Sequence, residues 1–555
     1  MAPTVDALLA RMTLEQKVGQ IMVIGFDGPA YDAGLREMIE TYQVGGVIFF
    51  ARNVDSPAQV ARLTNELQAS ARATSGVGLF VAIDQEGGRV ARLTTGKGFT
   101  EFPGAMALSA SARELPPAAA NARRVAAAMA AEMKAVGLNT DFAPDLDVNN
   151  NPANSVIGIR SFGSDPQRVA GLGVAFAGGL QANGVLAFGK HFPGHGDTGT
   201  DSHLDLPVVG HARARLDAVE FVPFKAAVAA HIAGIMSAHG SFPTIDVTPG
   251  LPATLSAKVL TGLLRDELHF DGLVVTDSLE MGALGKSGYP APRAAALALK
   301  AGADLLLFNS GHQLHRAAIE QIVDDVSRGA IPLARLDQAV RRGLLAKARF
   351  GLLQPVPVDA AAAGTIAGSP AHRALALEIA AATITLLRDD AGRLPLAPGS
   401  VPVVIAVPAA AGLAEALHGI EVRVRDQPSA GEISAALKAV QTHGGAPVIV
   451  TLAGAGASPG QRALAKTIVE TGAPVILIAL REPYDLLSSA NAGNGGTGAP
   501  ATNGPALLVT YGMNPATLQA LVAVLRGERQ PAGHLPVDLP GLYPLGAGLE
   551  NFTRK

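Results

Sequence analysis

Cysteine is missing from this 555-residue chain, which excludes disulfides and thiolate metal centres and leaves the redox compartment open. An excess of basic charge is missing too. Lys plus Arg number 44 against 47 Asp plus Glu, a formal charge of -3, so neither nucleic acid nor an anionic membrane surface meets a cationic field here. A neutral or modestly charged small molecule suits the chain better. Also absent is any run of about 18 uninterrupted apolar residues, and the opening stretch MAPTVDALLARMTLEQKVGQ has neither a basic n-region nor a continuous apolar core. The expectation is a soluble, cytoplasmic protein with no signal peptide and no membrane span. No feature of the sequence speaks to oligomeric state.

What is present is length enough for more than one hydrophobic core. From residue 20 to about 310, short runs of Val, Ile, Leu and Phe alternate with longer amphipathic stretches, the pattern of buried parallel strands joined by helices. Eight such runs occur: Ile21 to Phe26, Gly46 to Phe50, Leu79 to Ile83, Asn139 to Ala143, Val185 to Phe188, Gly234 to Ser237, Leu273 to Thr276 and Asp304 to Phe308. Eight βα units in this span predict an α/β fold with an N-terminal (β/α)8 TIM-like barrel, in preference to an open doubly wound sheet. Polar residues support the closed form, because they follow the runs where such a barrel gathers its active-site loops. Arg52, Asp84, Asp145 with Asp147, Lys190 with His191, His239, Asp277 and Asn309 each stand just past a run.

A helical stretch, Leu333 to Arg349, closes the region, giving a barrel domain over residues 1–350. Residues 351–370, with Gln354-Pro-Val-Pro-Val358 and an Ala/Gly-rich run, are expected to be a linker. Residues 371–555 form a smaller open α/β sandwich domain with strands at Val401 to Val407, Val448 to Leu452, Val475 to Leu480 and Leu507 to Tyr511. Between Ser488 and Gly504 the composition turns to Gly, Ala, Asn, Thr and Pro, predicting an irregular surface loop. Gly454-Ala-Gly456 and Gly460 follow a strand and could cradle an anion, but ordinary turn chemistry is the preferred reading.

The densest chemistry lies at Lys190 to Pro207, KHFPGHGDTGTDSHLDLP, directly after the apolar run Gly184-Val-Leu-Ala-Phe188. Charge is seldom buried unpaired, so a polar cluster at the end of a core strand reads as a site. Asp201 and His203 lie two residues apart on a loop punctuated by Gly194, Gly196 and Gly199. The carboxylate can orient the imidazole and favour its charged form, which suits a general acid/base near neutral pH. Asp277 ends the apolar strand Gly272-Leu-Val-Val-Thr276 and suits a nucleophile at the barrel mouth. A carboxylate nucleophile opposite a general acid/base is the arrangement of retaining glycoside hydrolysis, with the imidazole in place of the usual second carboxyl. Substrate assistance by a 2-acetamido group asks for an adjacent acidic pair at a strand end. The obvious pairs, Asp324-Asp325 and Asp389-Asp390, are in helix or turn context, so direct attack by Asp277 is preferred.

These residues fall in a set of separated motifs: Asp84-Gln-Glu-Gly-Gly-Arg-Val90, Ile159-Arg-Ser-Phe162, the Lys190 to Pro207 segment, Met236-Ser-Ala-His239 and Val275-Thr-Asp-Ser-Leu-Glu-Met281. In them the chain resembles glycoside hydrolase family 3, specifically the bacterial β-N-acetylglucosaminidases that act on cell-wall muropeptides. Glu482-Pro-Tyr-Asp-Leu486 and Gly533-His-Leu-Pro-Val537 extend the resemblance into the second domain. Position by position, it implies that Asp277 is the nucleophile and that His203 with Asp201 is the acid/base dyad. It also implies that Asp84, Arg92, Arg160, Lys190 and His191 surround the sugar. Asp84 can accept from two hydroxyls while the cations and the imidazole donate, and a polyol needs both. His239, Met236 and His195 are further candidates at the site. No cofactor is implied.

Plainer readings stand beside these. His191, His195 and His203 with Asp197 and Asp201 offer metal ligands, but their spacing fits no metal motif, and no metal is expected. Asp205 reads as a turn or cap residue, and His195 as a brace for the loop. Arg160 pairs with Asp145 or Asp147, or contacts ligand directly. Asp277 has the alternative of capping the turn that follows it. The reading of function is a retaining exo-glycosidase releasing terminal β-linked N-acetylglucosamine from muropeptides or chitooligosaccharides. The alternatives are a phosphorylase, since an imidazole does not repel an incoming phosphate, a broader β-glucosidase, a silent sugar-binding protein and a metal-dependent hydrolase.

Overall fold

The computed structural model describes residues 2–309, 311–487 and 504–552. Nearly all of the stretch expected to be a surface loop, residues 488–503, lies outside the described residues.

Eight parallel strands form the first sheet: β1 (Met22–Gly25), β2 (Gly46–Phe49), β3 (Phe80–Ile83), β4 (Thr140–Asp141), β5 (Leu186–Phe192), β6 (Gly234–Ser237), β7 (Leu273–Thr276) and β8 (Leu306–Phe308). They pair in the order β7-β6-β5-β4-β3-β2-β1-β8, and the bridge between Val275 and Leu305 closes the ring. The expected (β/α)8 barrel is what the chain forms. Its interior is filled by side chains from the strands, among them Val23, Ile48, Phe80, Phe188 and Val275. Phe142 and Phe188 meet edge to face at 5.3 Å, and truncating either ring in so closed a space costs about 3–5 kcal/mol.

The helices between strands start where the sequence supplies a cap. Ser56 accepts from the Gln59 N–H ahead of Pro57–Ser75, and Asp165 accepts from the Arg168 N–H ahead of Pro166–Ala182, each with proline in the first turn. Gly76, at φ +73°, ends the first of these in the left-handed region that a side chain resists.

β5 departs from expectation. It runs four residues past the end of its apolar stretch, through Lys190 and His191, because Lys190 continues the ladder on the segment after β4 and Phe192 pairs with β6. The Lys190 N–H donates to the Pro144 carbonyl, and the Lys190 carbonyl accepts from Leu146 at 2.6 Å. The register against β6 shifts between Gly189 and Phe192. Such a bulge re-aims the side chains it carries, and here those are two site candidates.

Past the barrel helix Leu333–Arg349, the chain is pinned to the barrel rather than free. Val358 exchanges two hydrogen bonds with the Asn65 side chain at 2.8 and 2.9 Å, and Gly368 donates to Glu132 at 3.0 Å. A second sheet follows, of β9 (Thr385–Arg388), β10 (Val403–Ala406), β11 (Ile420–Arg423), β12 (Val448–Leu452), β13 (Val475–Ala479) and β14 (Ala506–Val509). Its order is β11-β10-β12-β13-β14-β9, parallel except for β9 at one edge. Four strands are expected from the sequence and six are found. The two extra ones are the edges: β11 alternates Ile420, Glu421, Val422 and Arg423, so it presents no apolar run, and β9 follows the helix Pro370–Thr383 with little break.

The glycine turn at 454–456 does hold an anion, and the chain supplies it. Gly454 and Gly456 donate their N–H groups to Asp485 at 2.8 and 3.2 Å.

Candidate active site

The C-terminal ends of the barrel strands surround a cavity of about 400 Å³. Asp277, just past β7, borders it, and so do Asp201 and His203 on the loop after β5. Asp84, Arg92, Arg160, Lys190, His191 and Met236 border it as well. His195 and His239 lie behind the wall, fully packed.

The core of the wall is a charge cluster. Lys190 Nζ lies 2.9 Å from Asp84 and 2.7 Å from Glu86. Arg160 grips Glu86 through two nitrogens, at 2.9 and 2.8 Å. Burial alone raises the Glu86 carboxyl, but Arg160 and Lys190 outweigh it and hold the group well below the usual carboxylate range. Burial likewise opposes the Lys190 ammonium, and Asp84 and Glu86 push it above its ordinary value. Sequence reasoning misses Glu86. It sits inside a recognised motif, but its partner Arg160 is remote in sequence, and only the fold joins them.

Beneath this cluster, Asp145 and Asp147 divide the labour. Burial and the Asp147 charge push Asp145 far above its usual range. Asp147 is also opposed by burial, yet the His191 charge and hydrogen bond hold it below its ordinary value. Asp147 accepts from His191 Nδ1 at 2.7 Å and from the His195 N–H at 2.6 Å. Because Nδ1 carries the hydrogen that Asp147 accepts, Nε2 of His191 is left toward the cavity and lies 3.4 Å from Arg160. Arg160 pairs with Glu86 and stands 3.7 Å from Asp145, so it serves the rim and the cavity at once. Asp145, Asp147 and His191 come close enough to hold a metal ion. Asp147 is already engaged by the His191 and His195 N–H groups, the Arg160 guanidinium stands 3.7 Å from Asp145, and Asp145 Oδ2 has no hydrogen-bond partner. Asp197, His211 and Glu220 form a second such group, and there Arg215 bridges Glu220 at 2.7 Å and Asp197 at 3.6 Å.

Asp277 Oδ1 accepts from the Ser278 N–H at 2.7 Å. Burial works against its charge, but the nearby His191 and His239 and that N–H hold the carboxyl below its ordinary value. His239 is depressed by burial and braces the next peptide: its Nε2 donates to the Ser278 carbonyl at 2.8 Å while Nδ1 meets the Thr254 hydroxyl at 2.8 Å. On the loop after β5, at the border of the same cavity, Asp201 Oδ1 accepts from both the His203 N–H and Nδ1, each at 2.8 Å. That leaves Nε2 of His203 as the free nitrogen, on a side chain 62% exposed.

The loop bearing this pair is tied at several points. His195 links Thr198 at 2.7 Å to Ser202 at 3.0 Å. Gly282 and Ala283, a few residues past Asp277, donate their N–H groups to the carbonyls of His203 and Ser202. A Cβ on Gly282 would stand 2.6 Å from the His203 oxygen, so the contact needs glycine.

Residues 13–345 match the glycosyl hydrolase family 3 N-terminal domain. The chain belongs to glycosyl hydrolase family 3. It is 38% identical over 380 residues to a beta-hexosaminidase A from Pseudoalteromonas piscicida, which covers 65% of this chain and 62% of that protein. A beta-N-acetylglucosaminidase/beta-glucosidase from Cellulomonas fimi is 29% identical over 573 residues, 96% of this chain and 95% of that one. Among solved structures, a family 3 beta-N-acetylglucosaminidase from Paenibacillus sp. str. FPU-7 superposes with a TM-score of 0.86 at 36% identity, covering 95% of this chain and 99% of that chain. As a family 3 member the chain is a glycoside hydrolase with a barrel and a second α/β domain. Among the described residues no helix is long and apolar enough to cross a membrane.

Proposed function

We propose that the protein is a retaining exo-glycosidase that releases terminal, non-reducing β-linked N-acetylglucosamine. The observation that carries the reading is that one cavity is bordered by both Asp277 and His203, with Asp84, Lys190, His191 and Arg160 between and beside them. In the first step Asp277 attacks the anomeric carbon. His203, oriented by Asp201, gives its proton to the leaving oxygen, and a glycosyl-aspartate forms. In the second step the same imidazole takes a proton from water, which releases the sugar with retained configuration.

The charges support a neutral polyol as the bound group. Lys190 and Arg160 balance Asp84 and Glu86, so a sugar enters without bringing a counter-ion, and its hydroxyls meet donors and acceptors together. The beta-hexosaminidase and beta-N-acetylglucosaminidase relatives support N-acetylglucosamine as that sugar, with muropeptides or chitooligosaccharides as the source. The phosphorylase reading keeps the same site and changes the acceptor. Proton NMR of the products from an aryl β-N-acetylglucosaminide, with and without phosphate, tests both. First-formed β-N-acetylglucosamine at a rate independent of phosphate is expected. An α-configured first product overturns the double displacement, and a sugar 1-phosphate selects the phosphorylase.

A further inference from the structure

The turn that carries Arg160 belongs to two domains. Gly158, Ile159 and Arg160 form a single turn of 3-10 helix on the loop after β4, yet their side chains go separate ways. Arg160 stands in the cavity wall against Glu86. Ile159, 4% exposed, packs in the hydrophobic core of the second domain with residues such as Leu480 and Leu486. From that domain Glu482 reaches into the turn, its carboxyl packed against Gly158 and close to the Ile159 N–H. Gly158, at φ +44°, makes the room. A Cβ there would lie 2.5 Å from Glu482 Oε1 and 2.7 Å from Oε2, so a side chain at 158 would displace the carboxyl end of Glu482. Around this point the second domain makes two more ties to the same loop. Tyr484 donates to the Asn149 carbonyl at 3.3 Å, and Ser164 donates to the Pro536 carbonyl at 3.1 Å. From the barrel side, Asn149 Nδ2 donates to the Gly158 carbonyl at 3.1 Å and Ser161 Oγ to the Asp147 carbonyl at 2.6 Å.

We propose that Glu482 is a positioning residue for the sugar site: it holds the Gly158–Arg160 turn against the second domain and so fixes where the Arg160 guanidinium stands beside Glu86. The inference rests on the reading of the barrel cavity as a glycosidase site. It gives the second domain, which lends no side chain to that cavity among the described residues, a part in the chemistry. The carboxyl acts here mainly as an acceptor. Its Oε2 has no hydrogen-bond partner, and burial with the nearby Asp485 charge pushes the group up to about 7 against Ile159, Arg89 and Arg481. A neutral amide is therefore a fair replacement, and a shorter acid is not.

The test compares Glu482→Gln, Glu482→Asp and Glu482→Ala, with thermal midpoints confirming that each is folded, on aryl β-N-acetylglucosaminide and aryl β-glucoside. The Asp variant is expected to lose about 5–20-fold in kcat/KM, mostly through KM, while Gln stays within about threefold. Repeating Glu482→Asp on top of Arg160→Ala is expected to cost less than about twofold more, because the two act as one unit. Equal losses in both backgrounds overturn the proposal, as does a folded Asp variant with unchanged kinetics. Should Glu482→Ala fail to fold, the Asp variant carries the comparison. No turnover of either substrate by the unmodified protein would sink the glycosidase reading itself, a different result from unchanged variant kinetics.

Discussion

Lys190 and Glu86 stand 2.7 Å apart with side chains only 3% and 4% exposed, although one arises on β5 and the other on the loop after β3. The lysine extends the pair to Asp84 at the cavity, and Arg160 secures the other side of Glu86. Lys190, Arg160, Asp84 and Glu86 each have a counter-charge within the protein, which is what makes burying them tolerable.

Removing one member therefore strands the others. Glu86→Gln leaves Lys190 and Arg160 without their shared carboxylate, and the expected loss is about 3–5 kcal/mol of unfolding free energy. Urea unfolding of the variant beside the unmodified protein measures it, and a change below about 1 kcal/mol, the scale of a surface ion pair, contradicts the burial argument.

Asp277→Asn removes the proposed nucleophile while keeping its shape. Turnover is expected to fall by about 10³-fold or more, and a 2-fluoro glycosyl probe is expected to label Asp277 in the unmodified enzyme. Peptide mapping that finds the label on another residue redirects the mechanism to that residue.

His203→Ala should discriminate between leaving groups. Loss of general acid assistance is worth about 10²–10⁴-fold, and the full loss is expected for a poor leaving group, with a much smaller one for an activated aryl glycoside. Equal losses for both would take proton donation away from His203.

Lys347 makes a prediction about stability rather than rate. It is 1% exposed on the barrel helix Leu333–Arg349, hydrogen-bonded to Gln20 Oε1 at 3.0 Å and 4.9 Å from the Phe80 ring. Burial lowers it to about 7. The unfolded chain then holds this proton more tightly than the folded one between pH 7 and the free-lysine value of about 10.4. The destabilisation is present in full below about pH 7 and fades as pH rises through that window, by up to about 1.4 kcal/mol per unit. Lys347→Met is expected to gain about 1–3 kcal/mol at pH 7 and little near pH 10.5. Denaturation midpoints at the two pH values check it, and a gain that does not shrink with pH contradicts the assignment.

The barrel is legible in the sequence because a parallel strand covered on both faces must be apolar throughout, and a break into Asp84 or Asp277 marks where it reaches the cavity. The same rule hides β11, an exposed edge where Glu421 and Arg423 interrupt the pattern. It also hides the end of β5, where the charged Lys190 is still paired on the ladder. In the cavity wall, residue types were readable from their positions at strand ends. Pairings were not: Glu86 finds Arg160, and Glu482 finds Gly158, only once the loops after β3 and β4 are brought against each other and against the second sheet. A neighbour that contributes a single backbone or carboxyl contact leaves no periodicity behind.

The two sides of the cavity are built to different standards. The groups around Lys190 and Glu86 are enclosed and cross-braced, whereas His203 stands largely in water on a loop tied by main-chain bonds from Gly282 and Ala283 and by His195, Asn154 and Asp147 further back. In the proposed reaction the enclosed wall would grip the ring that stays behind, while the exposed imidazole would meet the group that departs, so tolerance for different departing groups would be set at the outer lip.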